Sequence, residues 1–468
     1  MHRACIRAWL CVCPTPAACR VRPPRPFSSA DPLHHTMIRI LVLLASLLVA
    51  GCAVSQPASA PAPVPSAPAS PERPRNVILM IADGFGPASA TLGAAAKGAP
   101  LAFDSLLVGS VETSATDSRV TDSAAGATAY ACGLKTYNGA IGMDADRQPC
   151  RTILEAAEAR GMATGLVATS RITHATPASF AAHVALRAEE AEIASQLAAS
   201  DVDVLFGGGR TFFADLLGPM AEAAWHVATD RAGFDALDRL PAAALLADDH
   251  LAYEIDRDET AQPSLAEMTT RALDLLAASS DARANGFFLM IEGSRVDHAG
   301  HGNDPAAHLG DILAYDAAVA AALAWAAADG ATLVVSTADH ETGGMTLGRD
   351  GVYQWDPAPL LATTASHDVI LSRAEAASDP AEVVRLALGL DVLPEGAADA
   401  LRAAQATPAA FRLLVRDLQS VPAGVAWTTS GHTAVDVGLY AFGPGAALFH
   451  GRMGNDAVGQ ALFEALGL

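Results

Sequence analysis

The chain predicts an α/β fold around a mostly parallel sheet, and three observations carry that reading. Continuous apolar runs at residues 76–82, 163–168, 202–206, 286–291, 331–336 and 437–442 have the length and composition of buried strands. Helical stretches at 152–160, 189–199, 265–278 and 305–328 lie between several of these runs, and such alternation belongs to a parallel sheet. Polar residues stand where the runs end: Asp83, Thr176, Glu292 and Asp339. Sites in open parallel sheets gather beyond the carboxyl ends of the strands.

Residues 1–36 are rich in Arg, Pro and Cys and show no period of a packed element. A better start lies at Met37, so 1–36 reads as an upstream extension. Arg39 then supplies the basic end of a signal peptide (37–52), residues 40–49 its apolar core and Val49-Ala50-Gly51-Cys52 its processing site. The apolar run is too short to span a membrane comfortably. Ordinary secretion and a lipoprotein signal both fit, and Cys52 favours the second, with a lipid on its sulfur. Residues 53–75 are Pro, Ala and Ser with few large apolar side chains. Such a segment is a semi-extended tether that holds a folded domain off a membrane surface. The expected location is therefore periplasmic, or anchored at the outer membrane through Cys52.

Residues 76–468 form the folded domain, and 51% hydrophobic content over 468 residues is ample for a large core. The net charge of −21 excludes a nucleic-acid binder. The first 51 residues carry six Arg against one Asp, so the processed chain is more acidic still. An anionic substrate would then need positive charge concentrated locally, as metal ions concentrate it. Beyond Cys52 only Cys132 and Cys150 remain; they either form one bridge or stand as two small free hydrophobes. Residues 345–428 are less regular, with polar and Pro-containing turns, and separate two candidate ligand segments. They read as an insertion over the site.

The chemistry centres on residues 120–130, Val-Thr-Asp-Ser-Ala-Ala-Gly-Ala-Thr-Ala-Tyr. Asp122 and Ser123 fall where a helix should begin, with Ala filling its body. The Ser123 hydroxyl thus sits at a helix N-terminus, where unpaired amides and the dipole favour an anion. Three further segments carry metal donors. Glu292-Gly-Ser-Arg-Val-Asp297-His298-Ala-Gly-His301 follows a strand and offers hard oxygen and imidazole donors that suit zinc. Thr337-Ala338-Asp339-His340 ends another strand, and Gly431-His432-Thr433 precedes the last run. Each alone reads as a polar surface loop. Together with Asp83 and Ser123 they read as one metal-activated serine.

In that order, Thr-Asp-Ser-Ala-Ala-Gly-Ala-Thr-Ala, Glu-Gly-x-x-x-Asp-His-x-x-His, Thr-Ala-Asp-His and Gly-His-Thr resemble the motifs of the alkaline phosphatases. The resemblance runs from about Asn76 to the C-terminus, apart from the middle of 200–260 and the 345–428 insertion. It implies a three-layer α/β sandwich and a phosphomonoesterase with Ser123 as nucleophile, forming a phosphoseryl intermediate. It implies two Zn2+ ions, one held by Asp297, His301 and His432, the other by Asp83, Asp339 and His340. It implies one Mg2+ ion held by Asp83, Thr176 and Glu292, and an Arg187 that clamps two phosphate oxygens. His174 and His298 stand where the family varies, close to the third metal and to the phosphate; His174 is expected behind the ligands rather than among them. The implied partners are small phosphate esters, with a membrane reached only through the Cys52 lipid. Homodimers are common in the family, though no interface is marked in this sequence. The competing expectations are a phosphodiesterase or sulfatase of the same superfamily, and a non-catalytic lipoprotein that binds metal or phosphate.

Overall fold

The computed structural model describes residues 73–468. The segments read from the sequence as an upstream extension, a signal peptide with Cys52 and a tether lie, up to residue 72, outside the described residues. The last tether residue, Arg75, already bonds the domain through its amide and the Ala331 carbonyl (2.8 Å).

Ten strands form the main sheet among the described residues. They are β1 (Asn76–Ile81), β2 (Leu107–Glu112), β3 (Ala163–Arg171), β4 (Val204–Gly208), β5 (His226–Ala228), β6 (Ala242–Leu245), β7 (Phe287–Glu292), β8 (Thr332–Thr337), β13 (Val437–Phe442) and β14 (Gly451–Gly454). Two short ribbons supply the remaining strands: β9 (Glu341–Thr342) with β12 (His432–Thr433), and β10 (Met345–Leu347) with β11 (Val425–Trp427). The main sheet runs β14-β2-β13-β8-β1-β7-β3-β4-β6-β5. Only β13 is reversed, antiparallel to both β2 and β8. All the other neighbours are parallel.

The expected α/β sandwich is the observed one. β1, β7 and β8 lie side by side and are buried at every position, as a strand covered on both faces must be. Helices Leu265–Ala278 and Pro305–Asp329 pack on each other and on strands of the sheet. Ser123–Cys132 packs with Ala175–Ala178 and Asn455–Leu466 in a separate group. Pro305–Asp329 is long and apolar enough to cross a membrane by length and composition. Its buried side, with Leu309, Ile312, Tyr315 and Val319, is part of the domain interior.

The register sets up the site. Ile81 pairs with Glu292 on one side and Thr337 on the other, and Glu292 pairs with Ala168. The ends of four neighbouring strands therefore fall on one edge of the sheet, where Asp83, Glu292, Asp339 and the 171–176 turn emerge. Between β10 and β11 the chain makes five helices, whose Ile370, Val384, Leu401, Phe411 and Val415 form a hydrophobic cluster of their own. That excursion occupies the stretch read from the sequence as an insertion.

Candidate active site

Ser123 opens the Ser123–Cys132 helix, and Asp122 caps it by accepting the Ala125 amide at 3.0 Å. The helix is buried from Ser123 to Ala131 and meets the Asp339 strand end at Gly126, where only a small residue fits. A Cβ on Gly126 would stand 3.1 Å from the Asp339 Cβ. Tyr130 donates its hydroxyl to the Ala338 carbonyl at 2.7 Å. At the far end Cys132 is bridged to Cys150. Ser123 and the Ala338–Asp339 strand end are thus held as one packed unit.

The Ser123 Oγ lies 3.2 Å from the His340 Nε2. That same nitrogen is 3.2 Å from Asp339 Oδ2 and 3.5 Å from Asp83 Oδ1. The His432 ring stacks on His340 with centroids 3.5 Å apart. His432 Nε2 is 3.1 Å from His301 Nε2, and Asp297 Oδ1 is 3.3 Å from the His301 nitrogen and 3.5 Å from that of His432. Both imidazoles give their Nδ1–H to backbone carbonyls, His432 to Thr121 (2.9 Å) and His301 to Ser430 (2.6 Å). Their Nε2 lone pairs are then left pointing at each other and at a carboxylate, an arrangement that a cation resolves.

The buried oxygens say the same. Asp83, Glu292 and Asp339 are fully buried. Both oxygens of Asp83, Oδ2 of Asp339, Oε1 of Glu292 and the Thr176 hydroxyl have no hydrogen-bond partner. Buried charge without a partner is expensive, and metal coordination is the usual resolution. Burial, then the neighbouring carboxylates, push the Asp83 and Asp339 carboxyls well above the usual range. Burial pushes Glu292 up to about 7. Burial, then the neighbouring His432 and His301, holds His340 well below the ordinary imidazole range. The residues present fit divalent cations. Three donor groups, each within 4.8 Å, can hold them: Asp83–Asp339–His340, Asp297–His340–His432 and Asp83–His174–Glu292.

All eight residues expected as metal ligands are brought to this edge. His301 comes to its group through Asp297 and His432, and Thr176 presents an unpartnered hydroxyl. His174, expected behind the ligands, comes within reach of Asp83 and Glu292. Arg187 sends one guanidinium nitrogen to Asp122, the residue before Ser123 (3.1 Å), and another to His174 Nε2 (3.0 Å), which fixes its planar fork from two sides. His298 is gripped by Arg295 Nη1 at Nδ1 (2.8 Å), and Arg295 lies over the Tyr253 ring at 3.7 Å.

Some members of the site escaped the sequence reading. Asp122 was legible as a helix cap, but its link to Arg187 spans 65 residues and leaves no local trace. His250 packs against His298, with centroids 4.3 Å apart, and carries no motif that would mark it. Cys132 and Cys150, open in the sequence, are joined.

A family model described as alkaline phosphatase matches residues 74–468. The repressible alkaline phosphatase of Saccharomyces cerevisiae is 38% identical over 461 residues, covering 84% of this chain and 81% of that protein. Alkaline phosphatase 3 of Bacillus subtilis is 36% identical, covering 84% of this chain and 89% of its own length. Among solved structures, the cold-active alkaline phosphatase from the psychrophile Shewanella sp. superposes with a TM-score of 0.79. It is 35% identical and covers 84% of this chain and 99% of that one.

Proposed function

The chain belongs to the alkaline phosphatase family and is a phosphomonoesterase, and on that premise we propose that Ser123 is its nucleophile. The proposal extends to the metals: zinc held by Asp297, His301 and His432, a second zinc by Asp83, Asp339 and His340, and magnesium by Asp83, Thr176 and Glu292. Bound there, the cations supply positive charge that lowers the serine pKa and neutralises phosphate oxygens. The observation that carries the reading is the Ser123 hydroxyl placed 3.2 Å from His340 Nε2, beside buried carboxylate oxygens that lack partners.

The chain's own groups then do the following. Arg187 donates two parallel N–H groups to two phosphoryl oxygens, its plane fixed by Asp122 and His174. Ser123 Oγ attacks phosphorus in line, the bond to the alcohol oxygen breaks, and a phosphoserine forms. Amides of the first turn of the Ser123–Cys132 helix, with its dipole, favour the negative charge at that end. Water then attacks phosphorus on the opposite side, the Oγ–phosphorus bond breaks, and inorganic phosphate leaves. A loose phosphoryl transition state asks mainly for positioning and charge stabilisation, which suits this set of groups. His298, packed edge-on against His174, either reaches the phosphate through water or joins the outer shell of the zinc.

For the whole chain we propose export, with the lipid-bearing Cys52 and the 53–75 tether holding the 76–468 domain at a membrane surface. The Val-Ala-Gly-Cys site supports that reading. The mass of the mature N-terminal peptide tests it.

The activity is tested by hydrolysis of p-nitrophenyl phosphate at alkaline pH, with Ser123→Ala beside the wild type, each with and without chelator. Turnover should disappear on chelation, return with zinc, and fall by orders of magnitude in the variant. Full zinc occupancy with no turnover of this monoester would refute the reading.

A further inference from the structure

We infer that Thr342 is a positioning residue that ties the ligands of the two zinc sites to each other; the inference rests on the assignment proposed above. Thr342 is 1% exposed and stands at the end of β9, directly across from His432 in the β9–β12 ribbon. Its hydroxyl contacts two side chains, Asp297 Oδ1 at 2.5 Å and His340 Nδ1 at 3.2 Å. One of these belongs to each proposed zinc site.

Counting protons fixes the roles. A carboxylate that binds metal can only accept, so the single hydroxyl proton of Thr342 goes to Asp297. The hydroxyl must then accept from His340, which places the imidazole proton on Nδ1. His340 Nε2 is left with its lone pair facing Ser123, Asp83 and Asp339. One oxygen therefore orients a carboxylate for the first site and, beside the Glu341 backbone that also bonds His340, supports the tautomer that the second requires.

The rest of the residue reaches the other ligand segments. Its amide donates to the Gly84 carbonyl at 3.1 Å, one residue past Asp83. Its methyl group packs where Gly300 precedes His301; a Cβ at Gly300 would come within 3.0 Å of Thr342 Cγ2. Asp83, Asp297, His301, His340 and His432 come from four separate segments of the chain. Thr342 touches each of those segments.

The test is zinc affinity of the full chain after metal removal, measured by competition with a chromogenic chelator for wild type, Thr342→Ser, Thr342→Ala and Thr342→Val. The Ser and Ala variants differ by one oxygen and neither adds bulk. Thr342→Ser should bind both zinc equivalents within about threefold of wild type. Thr342→Ala and Thr342→Val should lose about 10–100-fold in affinity for both equivalents, the range of partners that orient metal ligands. Equal affinity in the Ser and Ala variants would overturn the inference, since the hydroxyl would then be idle. Loss confined to one equivalent would overturn the tie between sites. A wild-type chain that binds no zinc would overturn the site assignment and this inference together. If Thr342→Val fails to fold, the Ser–Ala comparison still decides.

Discussion

Gly84→Ala probes how tightly backbone packing fixes the metal centre. Gly84 follows Asp83 and has φ of +76°, a left-handed conformation. Holding alanine there costs about 1–2 kcal/mol. Its Cβ would stand 2.7 Å from the Asp297 Cα and 2.9 Å from both the Asp297 Cβ and the Thr342 Oγ1. The closest of these is roughly 0.8 Å short of the 3.5 Å at which carbon atoms attract. A backbone atom cannot swing aside, so overpacking adds about 1–3 kcal/mol. The combined loss of about 2–5 kcal/mol is a large share of a domain's total stability. Because the strain falls on Asp83, Asp297 and Thr342 together, displacement of the proposed ligands by about 1 Å should lower kcat/KM by about 100-fold. Gly98→Ala is the control. Gly98 is also left-handed, with φ of +66°, yet a Cβ there meets nothing within 4 Å. Urea unfolding of both variants without metal, with p-nitrophenyl phosphate kinetics after zinc loading, separates backbone strain from overlap. A Gly84→Ala protein that loses no more stability than Gly98→Ala and keeps activity within twofold would refute the reasoning.

Two further perturbations act away from the metals. The Cys132–Cys150 bridge closes a loop of sequence separation 18 at the end of the helix that carries Ser123. Replacing both cysteines by serine should lower unfolding stability by about 3 kcal/mol, read by urea titration; an unchanged midpoint would show that the bridge does not stabilise the domain. Asp311 lies in the Pro305–Asp329 helix, and burial pushes its carboxyl from 3.8 up to about 8, with Arg295 opposing. The folded chain keeps a proton there that the unfolded chain has lost. Stability from this group is therefore full below pH 3.8 and is lost as pH rises through about 8, by at most about 1.4 kcal/mol per pH unit. Asp311→Asn should flatten that slope in chelator-treated protein. A slope the same in both proteins would refute it.

The sequence revealed most where burial was complete. β1, β7 and β8 are covered on both faces, so their apolar runs are uninterrupted and their acidic ends stand out. β2 escaped because it is largely half-exposed and carries a glycine and a serine in its middle. β5 has three residues, and β6 is Ala-Ala-Ala-Leu, which reads equally well as helix. The run at 437–442 marked β13 as a strand but not its direction, because antiparallel pairing with β2 and β8 is decided by the path of the chain. In the site, donors clustered in motifs were visible, whereas groups that orient donors were not. Asp122 and Thr342 look like an ordinary cap and an ordinary threonine until the fold brings Arg187, Asp297 and His340 to them.

The most direct test of the central claim is acid quench of the zinc-loaded enzyme during turnover, or after equilibration with inorganic phosphate, followed by peptide mass spectrometry. The account predicts phosphate on Ser123 of the wild type, none in chelated protein, and none in Ser123→Ala. Steady turnover with no phosphoserine at Ser123, or with phosphate trapped on another residue, would contradict it.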